Sequence, residues 1–394
     1  MRKTISLLSV SLGLALGISS WQSLASTPLN RDNQAKQKMA YSQEEVLGLD
    51  EQLWGDVSKA GDRQALLQSI DNSLRYLQTN DAAKAYRQYQ VTGITRDRVV
   101  RSLTRFRQLV VNAKSAEELQ AAVRQEFIFY QAVGKDDKGT VTFTGYYEPI
   151  YQASRVQTAE YRYPLYRRPA NLASWKKPHP TRAQLEGEDG IPGEKSPLKG
   201  LELVWLRDRF EAFLVQIQGS ARLQLTDGSV MTVGFGGRTD YAYTSIGREM
   251  AKDGKISGAG LTLPGMIKFF KENPAELNTY LPRNRGFIFF RETNGAPAMG
   301  SINVPVTPER SIATDKSLMP PGALALVHTR LPYATDEGQI QQRLVSRYVL
   351  DQDAGSAIKG PGRVDYFMGV GKVAGDRAGV TGGAGQLYYL LLKQ

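Results

Sequence analysis

The run from Val345 to Gly379 constrains this chain more than any other stretch. It carries two carboxylates twelve residues apart, Asp353 and Asp365, among Gly355, Gly360, Gly362, Gly369 and Gly371. Glycine at this density lets the backbone turn sharply and approach a ligand closely. A β-rich run, Leu344 to Leu350, leads into Asp353, and the aromatic pair Tyr366-Phe367 follows Asp365. The pattern taken alone leaves two readings open: carboxylates held on turns for chemistry, or a glycine-rich turn with two solvated aspartates.

The N-terminus adds a compartment. Met1-Arg2-Lys3 is followed by an apolar run from Ile5 to Ile18 and then by Ser23-Leu24-Ala25. A positive start, a short apolar core and small residues at the end form a secretory signal over residues 1–25, with cleavage expected after Ala25. An uncleaved anchor is the other reading. The expected location is therefore the periplasm or cell envelope. The sequence has no cysteine, so lipidation through a lipobox cysteine and disulfide bonding are both excluded. With His179 and His328 as the two histidines, a soft metal site is not expected. Neither a P-loop nor a G-x-S-x-G nucleophile elbow is present, and no cofactor is implied. The net charge of +11 suits an anionic envelope polymer. Nucleic acid, the other common reason for basicity, is not expected in an exported chain without a recognition motif.

Three textures follow a polar spacer at residues 26–40. The first, residues 41–151, opens with helical periodicity over Glu44–Trp54, Asp62–Leu77 and Arg96–Val111. Ser115-Ala116-Glu117-Glu118 reads as a capping box for a further helix, with Leu119, Val123, Phe127 and Tyr130 along one stripe. The arginines at 96, 98, 101, 105 and 107 read as a solvated face. From Thr140 the residues alternate, and Val141–Pro149 reads as a strand running into a turn. Its adjacent Tyr146 and Tyr147 suit stacking on a sugar face, or packing at a sheet edge.

The second texture, residues 152–295, consists of short strands separated by turns, as in a barrel or sandwich. Strands are expected at Tyr161–Tyr166, Leu201–Leu206, Ala212–Ile217, Ala221–Leu225, Ser229–Gly234 and Gly286–Arg291, with one helix at Leu263–Glu272. The strand assignment puts Gln216 and Gln218 on one face, where two amides suit sugar hydroxyls and acetamido groups; Gly219 and Ser220 follow them. Tyr241 closes a second polar turn, Gly236–Tyr241. The third texture, residues 296–394, alternates strands with Asp- and Gly-bearing turns and closes in the apolar strand Leu387–Leu392.

Three segments carry a resemblance. Ile312-Ala313-Thr314-Asp315, Asp353-Ala354-Gly355-Ser356-Ala357-Ile358-Lys359-Gly360 and Val364-Asp365-Tyr366-Phe367-Met368-Gly369 resemble, in order, the signatures of the 3D domain, named for its three aspartates. Upstream, Gly145-Tyr146-Tyr147-Glu148-Pro149 and Val215-Gln216-Ile217-Gln218-Gly219-Ser220 resemble the other half of the membrane-bound lytic transglycosylase A (MltA) family. The likeness runs from about Thr140 to the C-terminus. It implies a mainly β protein with N-terminal helices, in which a second β-barrel domain is inserted into a double-psi β-barrel domain, with a groove between them. The groove would take peptidoglycan glycan strands, and cell-wall synthesis or division proteins would be its partners. The membrane would be touched peripherally if at all.

The resemblance assigns catalysis to the third aspartate, Asp365, with Asp353 and Asp315 nearby in the groove. Tyr146, Tyr147, Gln216, Gln218, Gly219, Ser220 and Tyr241 are the expected substrate contacts. The expected reaction cleaves the β-1,4 bond between N-acetylmuramic acid and N-acetylglucosamine and leaves a 1,6-anhydro end. Two further readings stand beside it: a hydrolytic muramidase using Asp365, Asp353 and water, and a non-catalytic glycan-binding envelope protein. An aspartic peptidase, suggested by Asp353-Ala354-Gly355, lacks the second copy of its motif.

Overall fold

A computed structural model describes residues 39–42, 49–55, 60–335, 337 and 339–394. The signal and most of the spacer lie outside these residues, as does much of the helix expected over Glu44–Trp54. Of that helix, a single 3-10 turn at Glu51–Leu53 is described.

In chain order, β1 (Met39–Ser42) precedes four helices, α1 (Arg63–Leu77), α2 (Asn80–Gln88), α3 (Arg96–Asn112) and α4 (Ala116–Glu126). Next come β2 (Phe127–Ala132), β3 (Val141–Glu148), β4 (Ile150–Ser154), β5 (Tyr163–Tyr166), α5 (Arg182–Glu186), β6 (Glu202–Leu206), α6 (Arg209–Gln218), β7 (Ser220–Leu225) and β8 (Val230–Arg238). Then follow α7 (Ile246–Lys252), α8 (Leu263–Glu272), α9 (Glu276–Tyr280), β9 (Ile288–Glu292), β10 (Ser311–Ala313), β11 (Leu324–Ala334), β12 (Ile340–Asp353), β13 (Arg363–Val370), α10 (Gly371–Val380) and β14 (Gly382–Leu392).

The first sheet closes on itself. Its order runs β1-β2-β14-β11-β12-β10-β13-β3, and β3 pairs back onto β14. The ring β14-β11-β12-β10-β13-β3 is thus a six-stranded barrel, and β2 and β1 extend it beyond β14. Two of its contacts are parallel, β10 with β12 and β13 with β3, which the hairpin-connected pairs alone could not provide. Helices α1 and α3 cover the barrel with the apolar stripes Leu66, Ile70 and Val99, Leu103, Phe106, all fully buried. Thr95 and Ser115 cap α3 and α4 through their hydroxyls; of the two, the sequence leads one to expect the Ser115 cap.

The second sheet, order β5-β6-β4-β7-β8-β9, is contributed wholly by the chain between β3 and β10. Its edges meet at a bridge between Arg167, just past β5, and Phe290 of β9. Leu165, Val204, Leu206, Leu223 and Val233 fill its interior. The chain passes from the first sheet to the second through one residue, Pro149, between β3 and β4. Arg222 of β7 bridges the crossing, its Nε 2.8 Å from the buried Glu148 carboxylate.

Four expectations need correction. The segment 152–295 holds five helices, α5 to α9, where the sequence leads one to expect one. The run Ala212–Ile217 is helix, part of α6, not strand. Asp208 caps it, its Oδ1 accepting from the N–H of Phe210 and Glu211, and Gly219 ends it at φ +84°, the left-handed geometry that favours glycine. The stripe carried from Leu119 to Tyr130 breaks at Glu126, and Phe127–Ala132 is strand β2, whose aromatic and β-branched residues pair with β14. Arg98 is not solvated. It is buried and donates to the carbonyls of Leu392 and Gly93 and to the Tyr130 hydroxyl, pinning the end of β14.

Candidate active site

Strand register assembles the site. Thr144 on β3 lies opposite Asp365 on β13, Asp365 lies opposite Ala313 on β10, and Ala313 lies opposite Asp353 on β12. Four neighbouring strands thereby deliver one row of residues. The two aspartates sit two strand spacings apart, roughly 10 Å at the backbone, and the small Ala313 stands between them. The register of β10 on β12 shifts between Ile312 and Ala313, a bulge of the kind that re-aims side chains beside active sites.

The hydrogen bonds of the row set its electrostatics. Thr144 Oγ1 donates to Asp365 Oδ1 at 2.7 Å. Tyr146, two residues along the same face of β3, donates its hydroxyl to Asp353 Oδ2 at 2.8 Å. Asp353 Oδ1 accepts from the backbone N–H of Ser301 and of Ala354, each at 2.8 Å. Lys316 Nζ donates to the Asp353 carbonyl and to the buried Asp351 carboxylate.

Both carboxylates keep an accessible edge yet are walled by protein. Burial pushes the Asp365 carboxyl up to about 6, and the charge of Asp353 adds to this, while the Thr144 hydrogen bond and Arg363 pull it down. Burial also raises Asp353, against its hydrogen bonds from Ala354 and Tyr146 and the charge of Lys316. Asp315 differs. Burial alone would raise it, but the N–H of Gly360, the hydroxyl and N–H of Ser317 and the Lys359 charge hold it below the usual range. It accepts from Gly360 N at 2.9 Å and Ser317 Oγ at 2.7 Å, tying down the loop between β12 and β13.

The second sheet's segment also reaches this row. Tyr243, hydrogen-bonded to Ser245 on the loop between β8 and α7, lies within electrostatic reach of Arg363 and Asp365. Among the described residues, no three His, Cys, Asp or Glu side chains converge to hold a metal ion.

The other expected contacts are dispersed. Tyr146 packs on Phe367 with ring centroids 5.0 Å apart and belongs to the row. Tyr147 points away from it and is buried against Gly375 of α10, where a Cβ would meet the ring at 2.7 Å. Gln216 and Gln218 do not share a strand face, because they lie on α6. Gln216 is buried and accepts from Arg182 Nη2 at 2.7 Å; Gln218 Oε1 accepts from Tyr147 N at 3.0 Å. Gln218 thus braces the junction of the sheets, whereas Gln216 ties α6 to α5 and β9 within the inserted segment. Gly219 forms the cap of α6, and Ser220 opens β7 opposite Gly234. Tyr241 donates to the His179 carbonyl at 2.6 Å and stacks under Arg285. Sequence reasoning passed over Thr144, Lys316, Arg363 and Tyr243. The alternation of β3, which puts residues 142, 144 and 146 on one face, could have found Thr144.

A family model described as "MltA specific insert domain" matches residues 142–291, and one described as "3D domain" matches residues 310–391. The membrane-bound lytic murein transglycosylase A of Escherichia coli (strain K12) is 30% identical over 264 residues, which are 66% of this chain and 68% of that protein. This chain belongs to the MltA family. Its fold agrees: the crystal structure of E. coli MltA with bound chitohexaose superposes with a TM-score of 0.67 at 23% identity, covering 94% of this chain and 98% of that one. A membrane-bound lytic murein transglycosylase from Agrobacterium tumefaciens gives 0.64 at 24% identity, covering 84% and 93%. The MltA-type arrangement of a β-barrel with a second β domain inserted is therefore the fold of this chain. Among the described residues, no helix is long and apolar enough to cross a membrane.

Proposed function

We propose that this chain is a lytic transglycosylase of peptidoglycan, with Asp365 as its acid and then its base. The observation that carries this reading is the Asp365 carboxyl held near 6 by burial, inside a row of polar groups on the barrel wall. A carboxyl with that value is substantially protonated in mildly acidic solution and can donate.

Asp365 gives its proton to the glycosidic oxygen as the bond from C1 of N-acetylmuramic acid to that oxygen breaks. The C6 hydroxyl of the same sugar attacks C1, and its proton passes to the Asp365 carboxylate. One C–O bond breaks, one forms, and the carboxyl returns to its starting state without water. A hydrolase needs a second carboxylate to activate water. Here the nucleophile is tethered to its electrophile, and the effective concentration of the ring-closing hydroxyl replaces that second group. Asp353 sits in the row with its charge directed at the same space. It supports Asp365's raised value and stabilises the positive charge developing at C1. Asp315 orders the loop that frames the site. We assign the groove to the space between the Asp365 row and the loop carrying Tyr243, with a glycan strand running through it.

The basic charge fits an anionic wall, and the N-terminal run fits export to the periplasm or envelope, where that wall lies. The test is a digestion of purified sacculi by the full chain and by Asp365→Asn. The native chain should release 1,6-anhydromuropeptides. The variant should lose about a thousandfold or more of that activity while keeping its circular dichroism spectrum. Undiminished release by a folded Asp365→Asn would remove Asp365 from the mechanism.

A further inference from the structure

A recess of about 730 Å³ opens on the inserted domain, lined among others by Trp175, Lys176, Lys177, His179, Tyr241 and Arg285. Its size falls within the roughly 300–1,000 Å³ usual for ligand sites. We infer that this recess binds the carboxylate-bearing peptide stem of the muramyl residue whose bond is cut at Asp365.

The chemistry of the lining is cationic and aromatic. Lys176, Lys177 and Arg285 are exposed at its wall, and none has an ion-pair partner among the described residues. Unpaired cations around one concavity present donors to carboxylates. Arg285 is held over the Tyr241 ring at 4.3 Å, which fixes its guanidinium at the rim. Trp175 stands edge-on to His179, with centroids 5.9 Å apart. His179 is buried and its Nδ1 has no hydrogen-bond partner among the described residues. The nearest carboxylate, that of Asp240, lies 3.7 Å from that nitrogen and accepts instead from the His179 backbone N–H at 3.1 Å. Buried polar atoms are seldom left unpaired, so a donor or acceptor from a ligand is the natural complement.

Position selects the occupant. Tyr241 of the recess is two residues along the same loop from Tyr243, on whose hydroxyl the charges of Arg363 and Asp365 act. At about 3.3–3.6 Å per extended residue, a stem of four or five residues anchored on the sugar at Asp365 reaches well beyond that separation. A free anionic polymer has no such tether, and a neutral glycan makes no use of three cations.

The inference rests on the proposed reaction, and its test separates the two. The synthetic stem tetrapeptide, as free acid and as its amide, is titrated into the full-length protein while tryptophan fluorescence is followed. The free acid should give a saturable change that Trp175→Phe lacks, and Lys177→Glu with Arg285→Glu should weaken binding at least tenfold. The amide should bind at least tenfold more weakly than the acid. In parallel, the ratio of cleavage rates on stem-bearing and stem-free glycan strands should fall at least fivefold in the charge-reversal variant. Absent peptide binding, equal binding of acid and amide, saturation of the Trp175 signal by neutral chitohexaose, or an unchanged rate ratio would each overturn the inference. Failure of the native chain to cut either strand would count against the reaction, and peptide binding would still read the recess.

Discussion

Asp365 is set apart from the chain's other aspartates by its neighbours. Strand register gives it one hydroxyl donor, Thr144, and a walled position; Asp315, with backbone and hydroxyl donors, is driven the other way. The direction of the shift has a consequence for stability. A folded-state value near 6 lies above the ordinary 3.8, so between those values the folded protein holds a proton that the unfolded chain has released. Stability is then fullest below the lower value and declines as pH rises through the upper one. Asp365→Asn, which cannot ionise, should escape that decline. Urea titrations should find it more stable than the native chain by on the order of 2 kcal/mol at about pH 8, with no gain near about pH 4. Tyr146→Phe removes the hydroxyl donor of Asp353. A hydrogen bond to a charged group contributes about 1.5–3 kcal/mol, so kcat should fall roughly tenfold to a hundredfold with little change in KM, as steady-state kinetics on glycan strands would show.

At the scale of elements, a buried charge network fastens the N-terminal segment to the barrel. Arg310, just before β10, is fully buried and reaches Asp50 at 2.6 Å and Asp62 at 3.0 Å; Arg347 of β12 joins Asp50 at 3.2 Å. Removing one partner strands the others without solvent. Arg310→Met should therefore cost about 3–5 kcal/mol, read as a shifted urea midpoint. Elements also show what the sequence could reveal. β3 and the end of β14 were legible, the one from its alternation and the other from its unbroken apolar run. The helix α6 was not: Phe213-Leu214-Val215-Gln216-Ile217 is apolar nearly all round, and a short apolar run does not distinguish buried helix from strand. Its ends carried the missing signal, Asp208 as cap and Gly219 as stop. Misreading it sent Gln216 and Gln218 toward the groove, whereas their amides hold Arg182 and the Tyr147 backbone. The three aspartates were visible as motifs. Their separation into a row of two and a loop tie depends on register and on donors that are distant in sequence.

The whole molecule places two β domains around a one-residue crossing at Pro149, with Tyr243 of the inserted segment within electrostatic reach of Asp365. Its net charge of +11 should govern encounter with the wall more than chemistry. Binding to sacculi should weaken as salt is raised from about 0.01 to 0.15 M, where the screening length falls from about 30 to 8 Å; cleavage of a neutral glycan strand should change little. The central claim is that one carboxyl acts twice and water not at all. Digesting sacculi in water enriched in oxygen-18 tests it most directly. The new saccharide ends should carry no label and have the mass of the anhydro form; ends one water heavier and labelled would show hydrolysis and contradict the single-carboxyl mechanism.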